Sequence, residues 1–197
     1  MLMFEKQQPS RALTPAATAG EHRPMASQEI TIRAEPADQP DVTALLLQAR
    51  TLLAGLYPPE SRHGLDLDAY ASPDVTLFVA RAGGQAVGCG AFKRHRDGSA
   101  EIKSMFVIPP ARGRGIGRAI LETIEAALPR SVAALRLETG IKQDAAIRLY
   151  EAAGFRRRGA FGSYRDDPFS VFMEKPLSRT DTRRPPRPGR RGRRGSK

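Results

Sequence analysis

The sequence predicts a single domain of the α/β (α+β) class, in which helices cover both faces of a mixed, mostly antiparallel sheet of about six to seven strands. Two observations lead to this prediction. Segments with the two-residue hydrophobic period of strands alternate with segments that have the 3.6-residue period of helices. The chain has 197 residues, of which 40% are hydrophobic, which is enough for one sizeable core with terminal extensions.

The first half of the chain is predicted to form a strand, a helix and a three-strand meander. The first strand alternates apolar and polar residues, and the helix that follows ends before two consecutive prolines. Gly-containing turns separate the three meander strands. The predicted elements are the strand Gln28–Ala34, the helix Pro40–Leu56 and the strands Thr76–Arg81, Ala86–Lys93 and Ala100–Ile108.

The second half is predicted to add two helices and three strands. Apolar residues recur at helical spacing from Ile116 until Pro129 ends the helix. A strand over Ala134–Glu138 and a helix over Asp144–Ala153 follow. The last two strands form a hairpin that begins at Phe155 and finishes within residues 169–177.

The net charge of +11 is distributed unevenly along the chain. Residues 1–24 carry +1, residues 25–177 carry +2 and residues 178–197 carry +8. The last segment consists mainly of Arg, Pro and Gly, and it has too few apolar residues to offset the entropy of ordering. We therefore predict a folded domain at residues 25–177 between a disordered extension at residues 1–24 and a disordered basic tail at residues 178–197.

Both ends allow a second interpretation. Met25 directly precedes the first predicted strand, so it is a candidate for the true start of the protein. The basic tail has the composition of an electrostatic arm for nucleic acid. An alternative function of another class is therefore a nucleic-acid-associated protein that acts through this tail.

Several classes of site and location are disfavoured by composition. No segment approaches the roughly 20 apolar residues of a membrane helix, so no membrane partner is expected. A single cysteine, Cys89, permits no intramolecular disulfide, and three scattered histidines form no metal cluster. We expect a cytoplasmic protein without a metal, either a monomer or a homodimer.

The most informative segment is a glycine-rich loop that follows the third meander strand. Gly113, Gly115 and Gly117 stand at alternate positions and open the next helix. Free backbone N–H groups at a helix N-terminus bind anions, and glycine lets a phosphate approach the backbone closely. Arg112, Arg114 and Arg118 add positive charge, so this loop is suited to a pyrophosphate.

The glycine-rich loop also has three other interpretations. A P-loop requires Gly-Lys-Ser/Thr, which is absent. The dinucleotide fingerprint requires a different glycine spacing directly after the strand, although Glu138 stands at about the right distance downstream. A glycine-rich turn that only packs the helix against the sheet is the structural alternative.

Two blocks together resemble the GNAT superfamily of N-acetyltransferases. Residues 112–117 match the family's coenzyme A pyrophosphate signature Q/R-x-x-G-x-G/A, and residues 149–155 are similar to its LYE-x-x-GF block. The blocks stand in the family's order, and one helix and one strand separate them. Residues 58–61, 137–140 and 164–173 further resemble a bacterial subgroup often called YsnE-like. The resemblance covers residues 25–177 and implies the GNAT fold, in which strands 4 and 5 splay apart.

The resemblance implies acetyl-CoA as cosubstrate and assigns two groups of residues to it. The fourth strand would bond the pantetheine through its backbone, and the glycine loop would hold the pyrophosphate. At the position where many family members carry Asn, this chain has Gln143. The implied cofactor-binding residues are Met105, Phe106, Val107, Arg112, Gly113, Arg114, Gly115, Ile116, Gly117, Arg118 and Gln143.

The implied chemistry is direct attack of an amine on the thioester. A protonated amine must lose a proton before attack, and Glu101 is the first candidate for the base, with Glu138 second. Tyr150 stands at the family's general-acid position, although an aromatic residue on an apolar helix face is more often part of a core.

Four residues are candidates for contact with the acceptor amine: Ser61, His63, Tyr164 and Asp167. A small-molecule primary amine is the first expectation for the acceptor. A protein N-terminus or a lysine side chain is the alternative.

Overall fold

The computed structural model of the chain describes residues 28–177. The predictions for residues 1–24, Met25 and residues 178–197 therefore lie outside the described residues. Seven strands and three α-helices are present in the described part. In chain order they are β1 (Ile30–Ala34), α1 (Pro40–Leu56), β2 (Val75–Ala82), β3 (Gln85–Arg94), β4 (Ser99–Val107), α2 (Ile116–Ala127), β5 (Ala134–Gly140), α3 (Asp144–Ala152), β6 (Arg156–Arg158) and β7 (Ser170–Pro176).

The strands form one sheet in the order β1-β2-β3-β4-β5-β7-β6. Every neighbouring pair is antiparallel except β4 and β5, which are parallel. The α2 connection joins this parallel pair, as a crossover between parallel strands requires. The predicted fold class and the order of elements are thus confirmed.

Two hydrophobic clusters lie on the two faces of the sheet. One combines side chains of α2 and α3, among them Ile120 and Ile147, with one face of the strands. The other combines Val42, Leu45 and Leu46 of α1 with the opposite face. Along β3, Ala91 belongs to the second cluster and Phe92 to the first, because successive strand residues point to opposite faces.

The parallel pairing of β4 and β5 stops half-way along β4. Residues Ser99–Ile102 pair with Ala134–Leu137, and no further pair follows among the described residues. Beyond this point the two strands separate, so one edge of residues 103–107 lacks a strand neighbour. The gap opens toward the glycine-rich loop and α3, and it determines where a ligand can enter the sheet.

Within residues 28–177, no helix is long and apolar enough to cross a membrane. The same residues contain no group of three or more His, Cys, Asp and Glu side chains placed to hold a metal ion.

Candidate active site

The glycine-rich loop ends in an open helix N-terminus. Gly113 and Gly115 adopt φ values of 77° and 75°, in the left-handed region that favours glycine. Gly115 is the N-cap of α2, and no side chain caps the helix. The first backbone bond of the helix runs from Ala119 N–H to Gly115 C=O, so the amides of residues 116–118 precede it. These amides form the type of site that binds a phosphate.

Three arginines surround this helix end and differ in what they bind. Arg112 donates to the Val107 carbonyl at 3.0 Å. Arg114 donates through Nη2 to the Gln28 carbonyl at 2.9 Å, whereas its buried Nη1 has no hydrogen-bond partner among residues 28–177. Arg118 is exposed and pairs with Glu122 at 2.9 Å. A buried guanidinium nitrogen without a partner is costly, so an anionic ligand at this loop would satisfy Arg114.

A β-bulge explains why β4 leaves β5. Between the pairs Cys89↔Phe106 and Ala91↔Lys103, β3 contributes one residue and β4 contributes two. Ser104 lies in the bulge with a φ of 57°. Opposite it, a Cβ on Gly90 would approach the Met105 sulfur to 2.4 Å and Ile120 Cγ2 to 2.6 Å, so the close packing favours glycine at this position.

Two side chains hold the bulge in place. The Tyr70 hydroxyl shares a short hydrogen bond with the Ser104 hydroxyl, and the Cys89 thiol donates to the Ser104 carbonyl at 3.3 Å. Burial raises the pKa of Tyr70 to about 12 and that of Cys89 to about 12. Both groups therefore stay protonated at neutral pH, and the mid-strand cysteine has a structural role.

A cavity lies where the separated strands meet α1, α3 and residues 57–71. It is lined on the acceptor side by Ser61, Arg62, His63 and several leucines, and on the other side by Met105, Phe106, Gln143 and Tyr150. Lys103 and Glu138 contribute from β4 and β5. The structure thus brings predicted cofactor residues, predicted substrate residues and one predicted base into a single cavity.

Glu101 lies deep in an ionic cluster beside this cavity. Its side chain is 4% exposed. One carboxylate oxygen lies 2.8 Å from Lys103 Nζ and accepts a hydrogen bond from the Tyr164 hydroxyl, and the other lies 3.1 Å from His95 Nε2. Lys103 and Glu101 are two residues apart on a strand, so they share one face. Both oxygens of Glu101 are therefore already occupied.

Glu138 has different surroundings although it lies on the neighbouring strand. Its only side-chain hydrogen bond within residues 28–177 comes from the Ser170 hydroxyl at 2.7 Å. Burial is the main cause of a raised Glu138 pKa, and the Ser170 bond opposes it. No Lys or Arg forms an ion pair with Glu138 in the described part of the chain. Glu138 is thus a cavity-lining carboxylate whose ionised form is disfavoured by burial.

Tyr150 is buried on α3 and lines the same cavity. Its ring packs edge-on against Phe155, with centroids 5.7 Å apart. Its hydroxyl forms no hydrogen bond with another residue in 28–177. Burial raises the pKa of Tyr150, and the charge of Glu138 adds to this effect. The phenol therefore remains a proton donor at neutral pH.

Gln143 connects the end of β5 to the start of α3. It is the N-cap of α3, and its side chain acts to lower the pKa of the nearby Tyr57 hydroxyl, although burial raises that pKa overall. Tyr57 accepts a hydrogen bond from the Lys142 amide at 3.0 Å and lies against Gly140, where a Cβ would approach the ring to 2.2 Å. Gln143 thus lies where the end of β5, the start of α3 and Tyr57 meet.

The four predicted substrate residues fall into two pairs. Ser61 and His63 line the cavity. Tyr164 and Asp167 lie behind them: the Tyr164 ring packs edge-on against His63 at 5.0 Å, and Asp167 approaches His63 Nε2 to 3.7 Å, beyond hydrogen-bond distance. Asp167 has a lowered pKa mainly because its carboxylate accepts a hydrogen bond from the Phe169 amide at 2.9 Å.

Sequence reasoning missed Tyr57, Arg62 and Lys103 as lining residues. Lys103 had a local signal, because it lies two residues from Glu101 on a predicted strand. Tyr57 and Arg62 had none, since they reach the cavity only when the end of α1 packs over β5.

The comparison with known families agrees with this geometry. Residues 46–155 match the model described as the Acetyltransferase (GNAT) family, which is more than half of the chain. The chain belongs to this family, and it is therefore an N-acetyltransferase of the acyltransferase class.

The relatives of the chain include bacterial N-acetyltransferases. It is 48% identical to an IAA acetyltransferase of Azospirillum brasilense, over 75% of this chain and 98% of that protein. It is 38% identical to the uncharacterized N-acetyltransferase YsnE of Bacillus subtilis, over 66% of this chain and 87% of YsnE, which confirms the predicted YsnE-like resemblance. A crystal structure from Klebsiella pneumoniae, provisionally named an acyl-CoA N-acyltransferase, superposes with a TM-score of 0.64 at 36% identity, over 76% of this chain and 98% of that one.

Proposed function

We propose that this protein transfers the acetyl group of acetyl-CoA directly to the primary amine of a small molecule, with Glu138 as general base and Tyr150 as general acid. The observation that carries the proposal is the placement of both side chains on one cavity at the opening between β4 and β5. The open N-terminus of α2 supplies an anion site for the pyrophosphate of the cosubstrate.

The proton balance of the reaction fits these two groups. Glu138 takes one proton from the incoming ammonium, and the neutral nitrogen attacks the thioester carbonyl. When the C–S bond breaks, Tyr150 donates its proton to the departing sulfur. The nitrogen then loses its second proton, which restores the phenol, and the proton held by Glu138 passes to solvent.

The choice of base depends on the surroundings of the two carboxylates. Glu101 is ion-paired with Lys103 and hydrogen-bonded to His95 and Tyr164, so both of its oxygens are engaged. Glu138 has no ion-pair partner among the described residues and a raised pKa, which makes it the better proton acceptor near neutral pH. Glu101 would instead hold Lys103 in the cavity lining and Tyr164 behind it.

The lining of the acceptor side favours a small molecule over a protein. The segment 57–71 contributes Ser61, His63 and Leu65 to this lining, beside leucines of α1. The IAA acetyltransferase relative is also named for a small molecule. A protein N-terminus or lysine acceptor, cytoplasmic location and a nucleic-acid contact through residues 178–197 remain predictions.

The test begins with calorimetric titration of the protein with acetyl-CoA, with NAD as control ligand. We expect saturable binding of acetyl-CoA alone. Amines and short peptides are then screened by release of the coenzyme A thiol; the only cysteine, Cys89, is fully buried and should not contribute to the signal. Acetyl-CoA binding followed by turnover only with peptides would contradict the small-molecule proposal.

A further inference from the structure

The charges that line the cavity suggest what kind of amine it accepts. Glu138 is the only acidic residue of the lining; Lys103 and His63 lower its pKa from a distance, but no cation lies within ion-pair distance of it among residues 28–177. Of the cations in the lining, Lys103 is neutralised by Glu101 at 2.8 Å, and Arg50 pairs with Asp66 at 3.4 Å. Arg62 has no carboxylate partner in the described residues.

Arg62 is exposed, but its position is fixed. Its Nε donates to the Tyr57 carbonyl at 2.8 Å, and its Nη2 donates to the Ala54 carbonyl at 3.1 Å. These bonds anchor the guanidinium at the C-terminal end of α1, while Nη1 forms no hydrogen bond within residues 28–177. A guanidinium held in this way loses little conformational freedom when it binds a carboxylate.

The cavity therefore presents one carboxylate and one guanidinium that lack ion-pair partners. This is the charge pattern complementary to a zwitterion. Leu53, Leu65 and Leu67 line the same side, so an apolar substituent can pack there. A polyamine would place additional positive charge near Arg50, Arg62 and Lys103, which is unfavourable.

We propose that the acceptor is an amino acid with an apolar side chain, whose ammonium faces Glu138 and whose carboxylate is bound by Arg62. This inference rests on the proposed function, because it names the substrate class of the same site. It makes Arg62 a specificity-determining residue that contacts the substrate but takes no part in proton transfer.

The test uses pairs of amines that differ only in the carboxylate. L-Leucine is compared with 3-methylbutylamine, and putrescine serves as a cationic acceptor. Wild type, Arg62→Met and a control, Arg165→Met, are assayed with each amine as the full chain. Arg165 is an exposed arginine that does not line the cavity. Its substitution therefore removes the same charge from the protein without changing the cavity. For each amine, the kcat/KM of the variant is divided by that of wild type, so the intrinsic reactivity of the amine cancels.

We expect Arg62→Met to lower kcat/KM for L-leucine about tenfold or more and to change that for 3-methylbutylamine less than about twofold, because a charge-assisted hydrogen bond is lost only with the carboxylate. Calorimetric binding of L-leucine to the protein saturated with coenzyme A should weaken in parallel. Arg165→Met should resemble wild type.

Two results would overturn the inference. If Arg62→Met lowers kcat/KM for both amines equally, or if 3-methylbutylamine or putrescine is the better substrate of wild type, then Arg62 does not recognise a carboxylate, while acetyl transfer to an amine stands. If acetyl-CoA binds and no amine is acetylated, the inference and the proposed function both fail.

Discussion

The cosubstrate half and the acceptor half of this site are built in different ways. At the glycine-rich loop, the groups that we propose to bind acetyl-CoA are backbone amides, and one continuous segment, residues 112–118, supplies them. At the acceptor side, the groups are side chains from α1, the segment 57–71, β4 and β5. The first half depends on local backbone conformation, and the second depends on how distant segments pack. Substitutions should therefore separate binding of acetyl-CoA from catalysis.

The largest effect is expected from Gly115→Asp in the cosubstrate half. Gly115 has a φ of 75°, and the new carboxylate would stand at the helix N-terminus that we assign to the pyrophosphate. Acetyl-CoA binding should fall below detection by calorimetry. Gly115→Asn is the matched control, because Asn tolerates the left-handed region and adds no charge. Equal binding by both variants and wild type would mean that the loop is only structural.

Glu138→Gln should impair catalysis at the acceptor half without affecting the cosubstrate half. We expect turnover to fall about 100-fold or more, the usual range for loss of a general base, with acetyl-CoA affinity unchanged.

The Glu138→Gln variant should be as stable as wild type or more so at pH 7. The raised pKa of Glu138 means that its charge destabilises the folded state as pH rises above the unfolded-state pKa. Thermal unfolding at pH 5 and pH 7 checks the sign: the gain in stability should be larger at pH 7.

Tyr150→Phe tests the residue that we place between the two halves. The substitution removes only a hydroxyl that has no hydrogen-bond partner in residues 28–177, so packing against Phe155 is retained. Turnover should fall about 10- to 100-fold, below the effect at Glu138, while acetyl-CoA affinity changes little. Unchanged turnover would remove Tyr150 from the mechanism and leave it as a core residue.

The smallest effect on turnover is expected from Glu101→Gln, which should act mainly on stability. Removal of this charge leaves Lys103, whose side chain is 12% exposed, without its carboxylate. Breaking a buried ion pair in this way costs about 3–5 kcal/mol of unfolding free energy. Urea unfolding would measure the loss. A variant with wild-type stability and a turnover as low as that of Glu138→Gln would reverse the roles assigned to the two carboxylates.

The same contrast explains what the sequence could predict. The order of strands and helices follows from hydrophobic periodicity, which is a local property, and it was predicted with boundary errors of one or two residues, as at β1 and β5. The loop of Gly113 and Gly115 was recognisable because all residues of its motif lie in one continuous segment of the sequence. Which of Glu101 and Glu138 is the better proton acceptor could not be predicted from the sequence. It depends on contacts with residues that are brought together only by the fold: His95, Lys103, Tyr164 and Ser170.

The most direct test of the assignment of Glu138 is the pH dependence of kcat at saturating substrates, measured for wild type, Glu101→Gln and Glu138→Gln. Wild type and Glu101→Gln should both lose activity at low pH, with a midpoint above the ordinary glutamate pKa of about 4.3, because the base must be ionised and its pKa is raised. Glu138→Gln should be slow and should lack this acidic limb. If Glu138→Gln keeps the limb and Glu101→Gln loses it, the base is Glu101 and the account of the acceptor half is wrong.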